Sequence, residues 1–257
     1  MKQETMPLST STRPVIGLIV PPEDGKVPPD AALLYGQRVH FLARGLGIGA
    51  VSPDGFNPVI NTVLDRAREL RDAGAQVISL MGTSISFYRG AAFTEDLRAA
   101  MQEATGLPCT TMSHAIVAAL RRLAVQRVAV ATSYIDELND RLADYLTHAG
   151  FEVTAIRGLS LTGVKEVRAV TPQALLDLSV SVYRQDPSAD GIFISCGGLL
   201  TLDVIAPLEA KLGRPATSSS LAGFWDVMKL AGQDPASPDY GRLFARSWPM
   251  VVPRGVF

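Results

Sequence analysis

An internal repeat is the feature that most constrains how this chain can fold. Three stretches of the first half match three stretches of the second half in the same order, with glycine, proline, threonine and serine at corresponding places. The matching pairs are 15–21 (VIGLIVP) with 128–134 (VAVATSY), 77–84 (VISLMGTS) with 192–198 (IFISCGG), and 106–120 (GLPCTTMSHAIVAAL) with 213–227 (GRPATSSSLAGFWDV). Such repetition is typical of a duplicated structural unit, so we expect two similar lobes.

The pattern of apolar residues predicts the fold class of each lobe. Short, almost continuously apolar runs predict buried parallel strands at 14–20, 75–81, 127–132 and 190–195. Apolar residues at helical spacing predict helices at 61–74, 94–106, 135–150 and 172–185. This alternation predicts an α/β protein with two Rossmann-like lobes, each a short parallel sheet flanked by helices. We expect pseudo-twofold symmetry between the lobes, with the active site between them.

The repeat also suggests where the lobes begin and end. We expect a flexible tail over residues 1–12, a first lobe over 13–113 together with 220–257, and a second lobe over 114–219. In this arrangement the chain returns to the first lobe after completing the second.

Composition excludes several classes of partner and site. The 257 residues include 24 basic and 25 acidic side chains without a basic block, which disfavours nucleic acid as a partner. No apolar run is long enough to span a membrane, and the polar N-terminal segment lacks the apolar centre of a secretory signal. The two cysteines form neither a disulfide framework nor a zinc motif, which fits a reducing cytoplasm. A monomer and a small homo-oligomer both remain open.

Polar and small residues gather where the predicted strands end. In open parallel sheets, ligands bind beyond the carboxyl ends of the strands. Two facing lobes therefore place around one cleft Pro21, Gly82, Thr83, Ser84, Tyr134, Cys196, Gly197 and Gly198. Cys196 offers a thiol beside two unshielded backbone N–H groups, and the hydroxyls of the other strand ends are neutral donors suited to a developing oxyanion.

Other candidate motifs predict no metal and no cofactor. A buried cysteine is often merely structural, which is our interpretation of Cys109, since it matches Ala216 in the repeat. The segment 45–49 (GLGIG) does not follow a clear strand and lacks the remaining features of a dinucleotide loop. His40 and His148 lie in helical patterns and His114 begins a helix, without metal-ligand spacing.

Long stretches of the sequence resemble those of a known family. They are GLIVPP, SLMGTSISFYRGAAF, EATGLPCTTMS, SCGGLLTLD, AGFWD and YGRLF, between about Pro14 and Phe244. In these stretches the chain resembles the arylmalonate decarboxylase family, within the aspartate/glutamate racemase superfamily. The resemblance implies a carboxy-lyase that decarboxylates a small dicarboxylate, an α-aryl-α-methylmalonate, to an optically active 2-arylpropionate without a cofactor.

The resemblance also implies a role for each candidate residue. Cys196 would be the proton donor. The retained carboxylate and the enediolate formed from it would be held by Thr83, Ser84, Tyr134 and the backbone of Gly197 and Gly198. The departing carboxylate would lie in a small apolar pocket formed by Pro21, Ile48, Val51, Val164 and Val167.

Alternative functions remain within and outside the superfamily. Racemases of the superfamily use two cysteines on opposite faces of the substrate, and maleate isomerase-like enzymes also have a second cysteine in the first lobe. In the repeat Gly82 lies opposite Cys196, so a second thiol is missing and protonation from one side is the better interpretation. A non-catalytic carboxylate-binding protein would bind arylmalonates without releasing CO₂.

Overall fold

Two four-stranded parallel sheets form the centre of the protein, for which a computed structural model describes residues 13–245. The predicted tail 1–12 and the last part of the predicted first lobe, 246–257, lie outside the described residues. The strands of the first sheet are β1 (Val15–Val20), β2 (His40–Gly45), β3 (Val77–Leu80) and β4 (Cys109–Thr111). Those of the second are β5 (Arg127–Thr132), β6 (Glu152–Gly158), β7 (Gly191–Ser195) and β8 (Ala216–Ser218). The orders β2-β1-β3-β4 and β6-β5-β7-β8 are the same topology, which confirms the predicted fold class.

Helices connect and flank the strands. They are α1 (Pro29–Tyr35), α2 (Pro53–Phe56), α3 (Val63–Asp72), α4 (Thr83–Phe87), α5 (Ala91–Thr105), α6 (Met112–Arg122), α7 (Asp136–His148), α8 (Val164–Arg168), α9 (Pro172–Gln185), α10 (Leu202–Leu212) and α11 (Ser219–Leu230). Short 3-10 helices span Ile60–Thr62, Pro238–Tyr240 and Arg242–Phe244. The four helices predicted from apolar spacing correspond to α3, α5, α7 and α9.

The register of the sheets confirms the repeat. Ile78 of β3 pairs with Cys109 of β4, and Ile192 of β7 pairs with Ala216 of β8. The residues that match in the sequence therefore occupy the same positions in the two sheets.

The helices that follow β4 and β8 begin in the same way. The side chain of Thr111 accepts a hydrogen bond from the backbone N–H of His114, and the side chain of Ser218 accepts one from Leu221. Both are N-cap interactions, which satisfy a backbone donor that the first helical turn leaves free. The recurrence of threonine and serine at these places thus reflects capping of α6 and α11.

One of the three sequence matches is wrong by one residue. Ile16 pairs with Val77, and Val128 pairs with Gly191. Since Val77 and Gly191 are equivalent, Ile16 is equivalent to Val128, whereas the sequence match paired Val15 with Val128. Short runs of β-branched residues match nearly as well in the neighbouring register, and only the hydrogen bonds between strands decide between them. Pro21 is consequently equivalent to Ser133, not to Tyr134.

Half of the strands were not predicted. The outer strands β2 and β6 are only partly buried and carry polar side chains, so they lack the continuous apolar run of a central strand. The strands β4 and β8 have three residues each, too few to show a periodicity. The helical interpretation of His40 is wrong, because this residue begins β2, whereas His148 does lie in α7. The segment 45–49 does follow a strand, since Gly45 ends β2.

The chain after β8 contacts the first sheet again. The ring of Phe224 in α11 packs edge-on against Phe41 of β2 with centroids 5.9 Å apart, and the Tyr35 hydroxyl donates to the carbonyl of Pro235 at 2.7 Å. We therefore propose the division into lobe one, 13–113 with the chain from 220 onward, and lobe two, 114–219. A further contact ties the returning chain to lobe two, because the N–H of Arg242 donates to Glu209 Oε2 at 2.9 Å.

Candidate active site

A cavity lies between the two sheets, beyond the carboxyl ends of their strands. Eleven of the candidate residues line it: Pro21, Ile48, Val51, Gly82, Thr83, Ser84, Val164, Val167, Cys196, Gly197 and Gly198. Tyr134 does not line the cavity. It is fully buried behind it, where the Ser195 hydroxyl donates to the phenolic oxygen of Tyr134 at 3.3 Å.

Cys196 stands directly after β7 in an unusual backbone conformation. Its φ is 129°, a region that residues with a side chain rarely adopt. Such strain persists only where the surrounding structure enforces it, and it is common at functional sites. Here the Cys196 N–H donates to Ser219 Oγ at 3.2 Å, which fixes the turn. With this backbone conformation the thiol lines the cavity. No sequence pattern predicts the positive φ.

The environment of the thiol keeps it protonated. The Cys196 side chain is buried, and burial raises the pKa of the thiol because the thiolate loses its hydration. Four nearby hydrogen-bond donors lower the pKa of the thiol without cancelling the effect of burial. They are the hydroxyls of Ser133 and Tyr134 and the N–H groups of Gly198 and Leu199. A thiol with a raised pKa is suited to donate a proton at neutral pH.

The two glycines after Cys196 leave space that a side chain would occupy. A Cβ atom at Gly197 would lie 3.1 Å from Met112 Sδ, and one at Gly198 would lie 3.1 Å from Val167 Cγ1. Both distances are tighter than ordinary van der Waals contact, so the absence of side chains keeps this wall of the cavity open.

Three hydroxyl groups converge at the other strand ends. Thr83 Oγ1 contacts Met112 Sδ at 2.7 Å, and because a thioether is a weak acceptor, the hydroxyl stays available to a ligand. The Ser84 and Thr83 hydroxyls lie close enough to the phenol of Tyr134 to lower its pKa, although burial outweighs them. Burial raises the pKa of Tyr134 well above its usual range, so the phenol remains a neutral donor.

The apolar wall of the cavity is built from both lobes. Ile48 and Val51 lie in the loop after β2, while Val164 and Val167 belong to α8. The Ile48 N–H donates to the carbonyl of Pro21 at 3.0 Å, and the Val51 N–H donates to the carbonyl of Thr162 at 2.9 Å. This second bond crosses from one lobe to the other and holds the two halves of the wall together.

Sequence reasoning missed several residues of the site. Ser133 directly follows β5, but the sequence match had placed Tyr134 opposite Pro21 in its stead. The charged residues that line the cavity are Lys26, Asp30 and Arg168. Lys26 and Arg168 are exposed, whereas Asp30 is buried, with its pKa raised first by burial and then by the charge of Asp203. All three come from loops or short helices that the apolar pattern does not identify.

Residues 13–245 contain neither a metal-binding cluster nor a membrane-spanning helix. No group of three or more His, Cys, Asp and Glu side chains in this part of the chain is placed to hold a metal ion. None of its helices is long and apolar enough to cross a bilayer.

Comparison with known proteins places the chain in a family. A family model described as arylmalonate decarboxylase matches residues 16–244. The arylmalonate decarboxylase of Bordetella bronchiseptica is 53% identical over 241 residues, which cover 93% of this chain and 100% of the relative. The maleate isomerase of Nocardia farcinica is 26% identical over 239 residues, covering 89% of this chain and 94% of the relative.

A solved structure agrees with these matches. It is a double variant of arylmalonate decarboxylase in the liganded form, with a glycine replaced by cysteine and a cysteine replaced by serine, and it superposes with a TM-score of 0.89 at 53% identity. The match covers 91% of this chain and 100% of the other. With its fold, its cavity and these relatives, this chain belongs to the arylmalonate decarboxylase family and is a carboxy-lyase.

Proposed function

We propose that the protein decarboxylates α-aryl-α-methylmalonates to 2-arylpropionates of one preferred hand, without a cofactor, and that Cys196 protonates the enediolate intermediate. The observation that carries this proposal is the composition of the cavity. One buried thiol in it faces neutral hydrogen-bond donors, and an apolar wall from both lobes closes the remaining side.

Binding would treat the two carboxylates of the substrate differently. The retained carboxylate accepts hydrogen bonds from Thr83, Ser84 and Tyr134 and from the N–H groups after Cys196. The departing carboxylate lies against the apolar wall, which disfavours its charge relative to water. The substrate is thereby held in an orientation in which loss of CO₂ relieves an unfavourable contact.

Bond cleavage would move charge toward the donors. When the bond between Cα and the departing carboxylate breaks, its electron pair passes into the retained carboxylate and forms an enediolate, while CO₂ leaves as a neutral molecule. Each preorganised donor of this kind typically stabilises such a transition state by about 3–4 kcal/mol. The aryl group of the substrate delocalises the charge further.

Protonation would come from one side. Cys196 transfers the proton of its thiol to Cα, which gives the 2-arylpropionate and leaves a thiolate, and the thiolate takes up a proton from solvent before the next turnover. The other cysteine, Cys109, is buried in β4, where its thiol donates to the carbonyl of Leu107 at 3.4 Å, and it does not line the cavity. A racemase or a maleate isomerase-like enzyme needs two thiols at the substrate, and only one thiol lines this cavity.

The experiment is a decarboxylation of α-methyl-α-phenylmalonate in D₂O with the enzyme dialysed against a chelator and supplied with avidin. We expect alkalinisation of a weakly buffered solution, one deuterium at Cα by mass spectrometry, and a clear excess of one enantiomer by chiral chromatography. A racemic product would contradict protonation by Cys196 from one side. Activity that returns only when a metal ion or biotin is added would contradict the cofactor-free mechanism.

A further inference from the structure

Ser133 carries a buried hydroxyl group that has no hydrogen-bond partner. The residue is fully buried. Among residues 13–245, three buried polar side-chain atoms have no hydrogen-bond partner: Ser133 Oγ, Arg127 Nε and Thr217 Oγ1. An unsatisfied buried hydroxyl costs free energy, so such a group in a native protein calls for an explanation.

The sheet places Ser133 beside the thiol. β5 and β7 are neighbouring parallel strands in which Thr132 pairs with Ser195. Ser133 and Cys196 are the next residues of the two strands, and the carbonyl of Ser133 is held in place by the N–H of Leu161 at 2.8 Å. The register therefore brings Ser133 level with Cys196 just beyond the ends of the strands, and the Ser133 hydroxyl is close enough to lower the pKa of the thiol.

We propose that Ser133 is a positioning residue for the acid, and that its free hydroxyl donates a hydrogen bond to Cys196 Sγ once the thiol has given up its proton. The thiol proton goes to Cα of the enediolate, the Ser133 O–H turns toward the negative sulfur without transferring its own proton, and water later reprotonates the thiolate. The hydroxyl is unpartnered in the resting enzyme because its partner is the thiolate that forms during turnover.

The electrostatics of the site agree with this geometry. Among the groups that lower the pKa of Cys196 against the effect of burial, the Ser133 hydroxyl comes first, ahead of Gly198 N–H and the Tyr134 phenol. Tyr134 is the titratable group packed against the thiol, and the charge of Cys196 contributes to its own raised pKa. The remaining charged groups of the cavity are Lys26, Asp30 and Arg168.

The test measures the ionisation of the thiol directly. In a Cys109→Ala background, which leaves Cys196 as the only thiol, the pH dependence of alkylation by iodoacetamide gives the pKa of Cys196. We expect Ser133→Ala to raise this pKa, because the thiolate loses a donor, and Ser133→Thr to restore it. Thr217→Val is the matched control, since it also removes an unpartnered buried hydroxyl but from β8.

Turnover supplies the second measurement. Loss of one hydrogen bond to the thiolate should lower kcat about 2- to 10-fold, leave KM unchanged and move the alkaline limb of the pH profile upward. KM is unaffected because Ser133 does not line the cavity. Should Ser133→Ala fail to fold by circular dichroism, Ser133→Gly removes the same hydroxyl with a smaller residue.

The outcomes separate this inference from the proposed function on which it rests. An unchanged pKa in Ser133→Ala, or an equal rise in Thr217→Val, would overturn the role of Ser133. Alkylation needs no substrate, so this result stands whether or not Cys196 proves to be the proton donor. A raised pKa with an unaltered rate of product formation would overturn the part of the proposal that concerns turnover.

Discussion

The ends of β3 and β7 are equivalent positions in the two lobes, yet they have different backbones and different chemistry. Leu80 pairs with Thr111 as Ile194 pairs with Ser218, so Gly82 corresponds to Cys196. Gly82 has an extended backbone and leads directly into α4, which presents hydroxyl groups. Cys196 has a φ of 129° and leads into a loop with two glycines. The two lobes therefore present two similar strand ends to the cavity, which we call the first cradle (82–84) and the second cradle (196–198), and only the second cradle carries a thiol.

The largest effect should come from removing the thiol of the second cradle, which we propose as the proton donor. We expect Cys196→Ala to lower product formation from phenylmalonate about 10²- to 10⁴-fold, the range typical of general acid catalysis. The fold should persist, because the alanine is smaller and the donor to Ser219 is a backbone N–H that the substitution retains. Chromatographic quantification of the arylacetate, with circular dichroism for the fold, measures both.

Cys109→Ala is the matched control for this comparison. Cys109 is a buried thiol in β4 of the other lobe and does not line the cavity, so most of the activity should remain. A Cys196→Ala enzyme that works near the wild-type rate would show that the strained thiol is merely structural.

The hydroxyl donors around the thiol should have the next largest effect. Tyr134→Phe removes one hydroxyl and keeps the ring, whose centroid lies 6.1 Å from that of Phe87. Loss of one donor to a developing oxyanion typically costs about 10²- to 10³-fold in kcat, and we expect a decrease toward the lower end because Thr83 and Ser84 remain. Steady-state kinetics with α-methyl-α-phenylmalonate measures the decrease.

Tyr145→Phe is the control for this variant. Tyr145 is also buried and stacks on the same Phe87 with centroids 6.2 Å apart, but it is not among the groups that act on the Cys196 thiol, whereas the Tyr134 phenol is. If both tyrosine variants lost activity equally, packing around Phe87 would explain the result and the phenol of Tyr134 would have no role as a donor.

The contrast between the two cradles was only partly predictable from the sequence. The sequence predicts which residues meet in the cavity, because the carboxyl ends of parallel strands lie at the same edge of a sheet and the repeat predicts two such edges. The positive φ of Cys196 did not follow, because it depends on how Ser219 and the neighbouring strands hold the turn. The equivalence of Ser133 and Pro21 did not follow either, because the sequence match was shifted by one residue and hydrophobicity alone cannot resolve such a shift. Lys26 lies in a proline-rich loop and Asp30 in the first turn of α1, and the path of this segment depends on the packed lobes.

A thiol added to the first cradle should lower the enantioselectivity of protonation. Gly82→Cys would place a second proton donor opposite Cys196, so the product should show a much lower enantiomeric excess, and a pure enantiomer should slowly racemise. The added Cβ meets Ile85 Cγ2, so this β-branched side chain must shift to make room, while the φ of Gly82 is −122°, which any residue tolerates. Chiral chromatography measures both effects, with Gly82→Ala as the control for added bulk.

The same variant allows the direction of protonation to be reversed. Replacing Cys196 by serine in the Gly82→Cys background removes the original acid, and the new thiol should then deliver the proton from the other face and invert the preferred enantiomer. If Gly82→Cys folds and decarboxylates while enantiomeric excess and racemisation stay unchanged, position 82 does not face Cys196 across the substrate.

The smallest effect on activity should come from removing a charge at the cavity, to which each lobe contributes one cation. Lys26 comes from the first lobe and Arg168 from α8 of the second, and both line the cavity, although Lys26 also pairs with Asp24 at 3.1 Å. A dianionic malonate should be attracted to both cations. We expect Lys26→Ala and Arg168→Ala each to lower kcat/KM about two- to fivefold with kcat unchanged, as is typical of exposed charges.

Salt should remove most of this difference, because exposed charges are screened over about 10 Å at 0.1 M ionic strength and over shorter distances above it. Lys165→Ala is the matched control, since Lys165 is an exposed cation of the same short helix that does not line the cavity. Initial rates at low substrate concentration and increasing ionic strength distinguish the variants. A loss that persists in high salt, or that Lys165→Ala reproduces, would mean that α8 acts through its packing against the apolar wall. A loss confined to one of the two cations would instead assign attraction of the substrate to a single lobe.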